Sequence, residues 1–232
     1  MTQKVYLLGI GPGDPELLTI KAAAVLRQAD IVFVPQSNAE GRSVAETIVA
    51  PYVESSRLRF VMVPMTRDAA KLDAVYENAA DVLAGHVRAG RSVACVTLGD
   101  AMFYSTAEHV GARLKQRGVT VEYLAGIPSF VEAANRFGIR LAAGEENVVV
   151  AAMPESVDAV DALARAHTTI VLVKINKRLP VLLDYVTVHR PHTASLACRL
   201  GLPGEKLIDL AACAAPNDTI GYLSLAVIRE KE

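Results

Sequence analysis

Short apolar runs alternate with amphipathic stretches along most of the 232 residues. In the first half, the runs at residues 5–8, 31–34, 59–63 and 92–96 predict strands, with helices near residues 20–28, 43–52, 69–89 and 105–116 between them. Strands that alternate with helices in this way imply βαβ units and a parallel sheet. Gly118 is placed to close the last of these helices, and a strand at 120–124 with the turn Ala125-Gly126-Ile127-Pro128 leads into the second half. There the alternation continues with different spacing: strands at 148–152, 169–174, 194–198 and 222–227, helices near 130–137, 157–166 and 178–185. Ser129 and Ser156 stand where amino-terminal helix caps are expected. The pattern predicts an α/β protein of two domains, residues 1–118 and 119–232, with a ligand held in the cleft between them.

Composition narrows the partner. The chain carries 24 basic and 25 acidic residues, a net charge of −1, which gives no electrostatic footprint for nucleic acid and no basic tail for an anionic membrane. A small molecule is the expected partner. Hydrophobic residues make up 52% of the chain and mean hydropathy is +0.29, above the roughly 45–50% usual for globular chains. That excess suits strands covered on both faces and an oligomer interface beyond the cores. Cys95, Cys198 and Cys213 are widely spaced and form no metal-binding or redox pair, so they read as buried thiols of a reducing cytoplasm. The first strand follows the amino terminus without a signal sequence, and no apolar stretch reaches about 18 residues; the expected location is cytoplasmic.

The candidate chemistry starts directly after the first strand, with Gly9-Ile10-Gly11-Pro12-Gly13-Asp14-Pro15-Glu16-Leu17-Leu18-Thr19. A glycine-dense turn at a strand's carboxyl end lets a ligand lie against bare main chain. A dinucleotide fingerprint would need glycine at 14, where Asp14 stands, and a phosphate loop would need a Gly-Lys-Ser/Thr triplet that is missing. An acidic residue beside the turn also argues against a triphosphate. A second glycine turn, Leu98-Gly99-Asp100-Ala101-Met102-Phe103-Tyr104-Ser105-Thr106, follows the strand at 92–96 at the same sheet edge, and Gly126-Ile127-Pro128-Ser129-Phe130 supplies a third.

These three turns resemble the signature of the tetrapyrrole methylase family. The resemblance implies a class III type of methyltransferase with two α/β domains, S-adenosylmethionine as methyl donor, S-adenosylhomocysteine as product, and a homodimer. Carried over position by position, it implies donor contacts at Pro12, Leu98, Gly99, Asp100, Phe103, Pro128 and Ser129. Lys174 stands where some relatives carry methionine beside the donor, and Ala197 and Cys198 fall near the adenine pocket. Ala101 departs from the proline usual in relatives; this loosens φ without removing a functional group. The segment from Met102 to Thr106, the turn at 126–130 and the late Gly201-Leu202-Pro203-Gly204-Glu205 are similar to the branch that methylates carbon 20 of precorrin-2 or of cobalt-factor II in cobalamin biosynthesis. A methylase of another tetrapyrrole, such as uroporphyrinogen III or precorrin-4, would share every donor loop. The diphthine synthase branch methylates a protein, and nothing here points to a protein partner. A sensor that keeps the donor pocket without catalysis is the remaining alternative.

Such chemistry asks little of side chains. A sulfonium is a potent methyl donor and a meso carbon of a reduced tetrapyrrole is enamine-like, so placing the two in line supplies much of the catalysis. A proton must then leave the methylated carbon. Asp100 and Tyr104 are the candidates to take it, with Tyr123 a weaker third. Asp100 has a second reading as the acceptor for its own turn. The acceptor is a polycarboxylate, for which Arg57, Arg59, Arg67 and Lys71 are available, although each also reads as a solvated surface group. No metal site is expected: His189 and His192 sit at a proline-containing turn without a third ligand, and His86 and His109 lie on helices whose exposed faces they would occupy. Met62 and Met65 read as core or interface filler.

Overall fold

The apolar runs of the first half form β1 (Lys4–Gly9), β2 (Ile31–Gln36), β3 (Leu58–Met62), β4 (Val93–Thr97) and β5 (Thr120–Leu124), all parallel in the order β3-β2-β4-β1-β5. The computed structural model describes residues 4–36, 43–63, 66, 68–212 and 220–230. Alternate residues of β1 serve opposite faces of the sheet. Tyr6 and Leu8 pack with α1 (Ile20–Gln28) and α2 (Val44–Val49), whereas Val5 and Leu7 pack with α3 (Ala69–Arg88) and α4 (Ala107–Gln116). A strand buried on both faces has no use for polar positions, which is why the runs are continuously apolar.

The helices are bounded by local chemistry. Thr19 Oγ1 accepts the Ala22 N–H at 3.2 Å to start α1, and the Arg57 guanidinium donates to the carbonyls of Leu26, Arg27 and Ala29 at its end. Asp68 caps α3 through the amides of Ala70 and Lys71. Gly118, at φ +71°, follows α4 and donates to the Lys115 carbonyl, as expected of a glycine beyond a helix end.

The second half forms β6 (Val148–Ala152), β7 (Thr169–Val173), β8 (Thr193–Cys198), β9 (Lys206–Asp209) and β10 (Ser224–Arg229), in the order β6-β7-β10-β8-β9. β10 runs antiparallel to both β7 and β8, so this sheet is mixed. One face is covered by α5 (Ser129–Phe137), the other by α6 (Val157–Ala166) and α7 (Leu179–His189). Ser156 caps α6 through the Ala159 amide at 3.3 Å. At the end of β10, Arg229 is buried and donates to Glu146 Oε1 at 2.9 Å, to the Arg140 carbonyl at 2.7 Å and to Thr169 Oγ1 at 3.0 Å. The contact with Arg229 holds the Glu146 carboxyl below the usual carboxylate range.

Four expectations are corrected. The chain divides into Met1–Pro128 and Ser129–Glu232 rather than at 118/119, because β5 pairs with β1 along its whole length and belongs to the first sheet. Ser129 is the first residue of α5, not the residue before it. α7 continues past Tyr185 to His189, whose ring stacks on Tyr185 at 4.6 Å, and ends where Arg190 turns left-handed at φ +48°. β9 is additional; its four residues are mostly exposed at a sheet edge and leave no apolar run to read. Cys213, Met65 and Arg67 lie outside the described residues. Among the described residues no helix is long and apolar enough to cross a membrane.

Candidate active site

β4, β1 and β5 are consecutive neighbours, and their parallel register pairs Gly9 with Thr97 and Leu8 with Leu124. All three glycine turns therefore leave the same edge of the sheet side by side. Beyond the strands the first two remain joined: the Gly11 amide donates to Gly99 O at 3.1 Å and the Gly99 amide to Gly11 O at 2.8 Å. The third turn reaches them through Asp100, whose Oδ2 accepts the Gly126 N–H at 3.0 Å while Oδ1 accepts the Met102 N–H at 2.8 Å.

The glycines divide into two kinds. A Cβ on Gly126 would lie 2.2 Å from Gly99 O, and one on Gly9 would lie 2.6 Å from both Gly126 N and Gly99 O. Those two are glycine so that three backbones can touch. At Gly99 the nearest atom to an added Cβ is Pro128 Cα at 4.0 Å, and the residue holds φ +68°. Its main chain is open on the side where a side chain would project, and that side is where a ligand can meet it. Much of the remaining signature is local structure: Asp14 Oδ1 accepts the Glu16 amide at 2.8 Å, Pro15 opens a single 3₁₀ turn, and Thr19 caps α1. Pro12 is buried and Leu98 packs against the first core.

Next to the open glycine, Met102, Phe103 and Tyr104 are 58%, 37% and 53% exposed, an unusual run of large apolar side chains on one turn. Phe103 and Tyr104 meet edge to face at 5.0 Å, and Tyr104 holds φ +49°, a conformation an aromatic residue rarely adopts. Behind the turn Ser105 Oγ donates to Thr97 Oγ1 at 3.0 Å and accepts the Ala107 amide at 3.0 Å, which ties the turn back to β4 and starts α4. This hydroxyl pair escaped sequence reading, since its two members are separated by the turn they brace. A small apolar cavity lies on the α3 and α4 side, lined by Pro35, Val61, Tyr76, Cys95, Thr97 and Val110 among others; burial pushes the Cys95 thiol up to about 12, too high for a nucleophile.

In the second unit, Val173 and Ala197 flank Leu225, and Cys198 lies opposite Ser224. Lys174, Ala197 and Cys198 are thus brought to one edge of that sheet. Lys174 lies just past β7, not in it, exposed and at φ +60°. Ala197 and Cys198 are buried, so main chain is what they offer a ligand, and burial raises the Cys198 thiol.

The other candidates are employed elsewhere. Arg57 closes α1, Lys71 pairs with Asp68, and Arg59 donates to the Ser56 and Leu58 carbonyls. Tyr123 packs its hydroxyl against Gly111 of α4, and desolvation raises its pKa. His86 is partly buried against Phe33 instead of solvent-facing, and desolvation lowers it; His109 stacks on Tyr76 at 5.1 Å. Met62 is 45% exposed on the edge strand β3 rather than in the core. Among the described residues no group of three or more His, Cys, Asp or Glu is arranged to hold a metal.

Residues 4–212 match the sequence profile of the family described as Tetrapyrrole (Corrin/Porphyrin) Methylases. The chain belongs to the tetrapyrrole methylase family. A probable cobalt-precorrin-2 C(20)-methyltransferase of Methanocaldococcus jannaschii is 33% identical over 99% of this chain and 97% of its own length. The cobalt-precorrin-2 C(20)-methyltransferase of Salmonella typhimurium is 33% identical over 77% of this chain and 75% of its own. Among solved structures, a cobalt precorrin-4 methyltransferase superposes with a TM-score of 0.76 at 20% identity, covering 98% of this chain and 95% of that one. A Thermus thermophilus uroporphyrin-III C-methyltransferase, solved with S-adenosyl homocysteine, gives 0.68 at 23%, covering 98% and 97%. Both structural matches speak to the fold. As a tetrapyrrole methylase the protein is an S-adenosylmethionine-dependent methyltransferase.

Proposed function

We propose that the protein transfers the methyl group of S-adenosylmethionine to the meso carbon C-20 of precorrin-2 or cobalt-factor II, in cobalamin biosynthesis in the cytoplasm. The observation that carries the donor side is the open main chain at Gly99, framed by turns already locked to one another. The acceptor side rests on the 33% identity, over nearly the whole of both chains, to a protein named for that substrate class. When bound, the sulfonium supplies an electrophilic methyl carbon. Gly99, Pro128 and their neighbours would hold it by main chain, and Phe103, Leu98 and Pro12 would complete its surroundings; the family resemblance alone extends the donor contacts to Ser129, Lys174, Ala197 and Cys198. The exposed side chains of Met102, Phe103 and Tyr104 offer an apolar surface to a macrocycle. Methyl transfer forms the carbon–carbon bond while sulfur keeps the electron pair of the broken bond, and the meso hydrogen leaves as a proton.

Calorimetry with S-adenosylmethionine and S-adenosylhomocysteine tests the donor: both should bind with a dissociation constant in the micromolar range, about −8 kcal/mol. Incubation with donor and either tetrapyrrole should then add one methyl group, located on C-20. A methyl group at another carbon assigns a different branch, and donor binding without turnover on any tetrapyrrole supports the sensor.

We further propose a homodimer, supported by the apolar excess and by the exposed Phe60 and Met62 on edge strand β3. Sedimentation at micromolar concentration should give one species near twice 24.7 kDa. A clean monomer removes this part of the proposal.

A further inference from the structure

Asp100 has two possible employments in a methyl transfer, and the hydrogen bonds distinguish them. Its carboxylate sits between two main-chain donors that are 24 residues apart, Met102 N–H at 2.8 Å on Oδ1 and Gly126 N–H at 3.0 Å on Oδ2. Gly126 is already in backbone contact with Gly99 O and Gly9, so the carboxylate closes a ring through all three turns. Ala101, between the aspartate and Met102, is buried and leaves φ unrestrained, so the Oδ1 bond fixes a curvature the residue itself does not.

We infer that Asp100 is a positioning residue, a clamp that holds the turns after β4 and β5 in the one relative placement at which their main chain meets the methyl donor, and that it does not take the proton released by the reaction. The inference rests on the reading that these turns bind S-adenosylmethionine. A carboxylate accepting an N–H on each oxygen is shaped as an acceptor for main chain. Protonating it removes the negative charge that strengthens both bonds, and the clamp would weaken at the moment of turnover. A proton acceptor whose own protonation loosens the donor site would work against the enzyme.

Asp100→Asn separates the two employments. The amide keeps the size and one accepting oxygen but turns an NH₂ group toward the other main-chain N–H. Donor affinity by calorimetry and KM for the donor should weaken about 10- to 100-fold, as when one charge-assisted hydrogen bond is lost. kcat at saturating donor should fall far less, and the pH profile of kcat should keep its shape. Asp100→Ala, which loses both bonds, should be weaker still, and hydrogen exchange at the Gly126 and Met102 amides should quicken in both variants. The exchange measurement reads the clamp even in an alanine variant of reduced stability. Asp100→Asn with native donor affinity and a kcat lowered 100-fold or more, its pH profile altered, makes the residue a proton acceptor and overturns the inference. Native exchange rates at the two amides in both variants overturn it as well. If the native protein takes up no donor, the functional reading fails instead, and exchange alone still decides whether the clamp exists.

Discussion

Gly126→Ala will melt about 10 °C below the native protein and lose nearly all measurable affinity for S-adenosylmethionine. One methyl group is added, yet it would have to occupy a point 2.2 Å from Gly99 O and 2.6 Å from Gly9 C. Both neighbours are backbone, so no rotamer change makes room. Gly9 ends β1, paired to β4 and β5, and Gly99 is held to Gly11 by two hydrogen bonds, so the strain cannot be shed by moving one loop. Overpacking of this kind costs about 3 kcal/mol or more, and each kcal/mol lowers the melting point of a chain of this size by roughly 2–4 °C. The affinity loss follows from the same displacement, because pushing Gly126 away breaks its bond to Asp100 and separates the turns. Gly85→Ala is the matched control: it lies within α3 with nothing near its added Cβ, and should leave donor affinity unchanged with a small gain in stability. A Gly126→Ala protein that melts normally and binds donor would mean the three turns are not jointly built.

That contrast shows where reading the chain reaches its limit. The strands were legible because parallel strands buried on both faces leave continuous apolar runs, and the observed ends of β1 to β8 stay within a residue or two of those runs. The glycine turns were legible as neighbouring turns because they follow parallel strands, and the first two are joined by main-chain hydrogen bonds. What no run of residues reveals is which glycine is closed in by neighbouring backbone and which is open. Gly9, Gly99 and Gly126 look alike in sequence, but Gly9 and Gly126 are fixed by each other across 116 intervening residues, and Gly99 alone of the three leaves its Cβ position open. The division of the chain failed for the same reason. An apolar strand at 120–124 announces itself, but its partner, β1, is decided by tertiary contact. Arg57 shows the converse error: a cation after a helix reads as surface or substrate-binding, whereas its three bonds to the end of α1 leave it a structural cap.

Tyr104→Phe carries the largest expected effect on turnover. With the Asp100 oxygens engaged by main chain, Tyr104 is the side chain of the turn that joins an ionisable hydroxyl to an exposed position beside the open glycine. Its φ of +49° places an aromatic residue in the left-handed region, a strain on the order of 1–3 kcal/mol that the turn sustains between the Asp100 bonds on one side and the Ser105 to Thr97 bond on the other. If the hydroxyl receives or relays the meso proton, phenylalanine keeps the ring and the turn but not the transfer: kcat falls about 10²- to 10⁴-fold with donor affinity within about twofold of native. The measurement is single turnover at saturating donor and acceptor, where release of product cannot mask the chemical step. A rise in KM for the tetrapyrrole at native kcat would make the hydroxyl a binding group for the acceptor. Native turnover in the phenylalanine variant would leave deprotonation to water or to the acceptor's own carboxylates, and the protein would accelerate the reaction by holding donor and acceptor in line and nothing more.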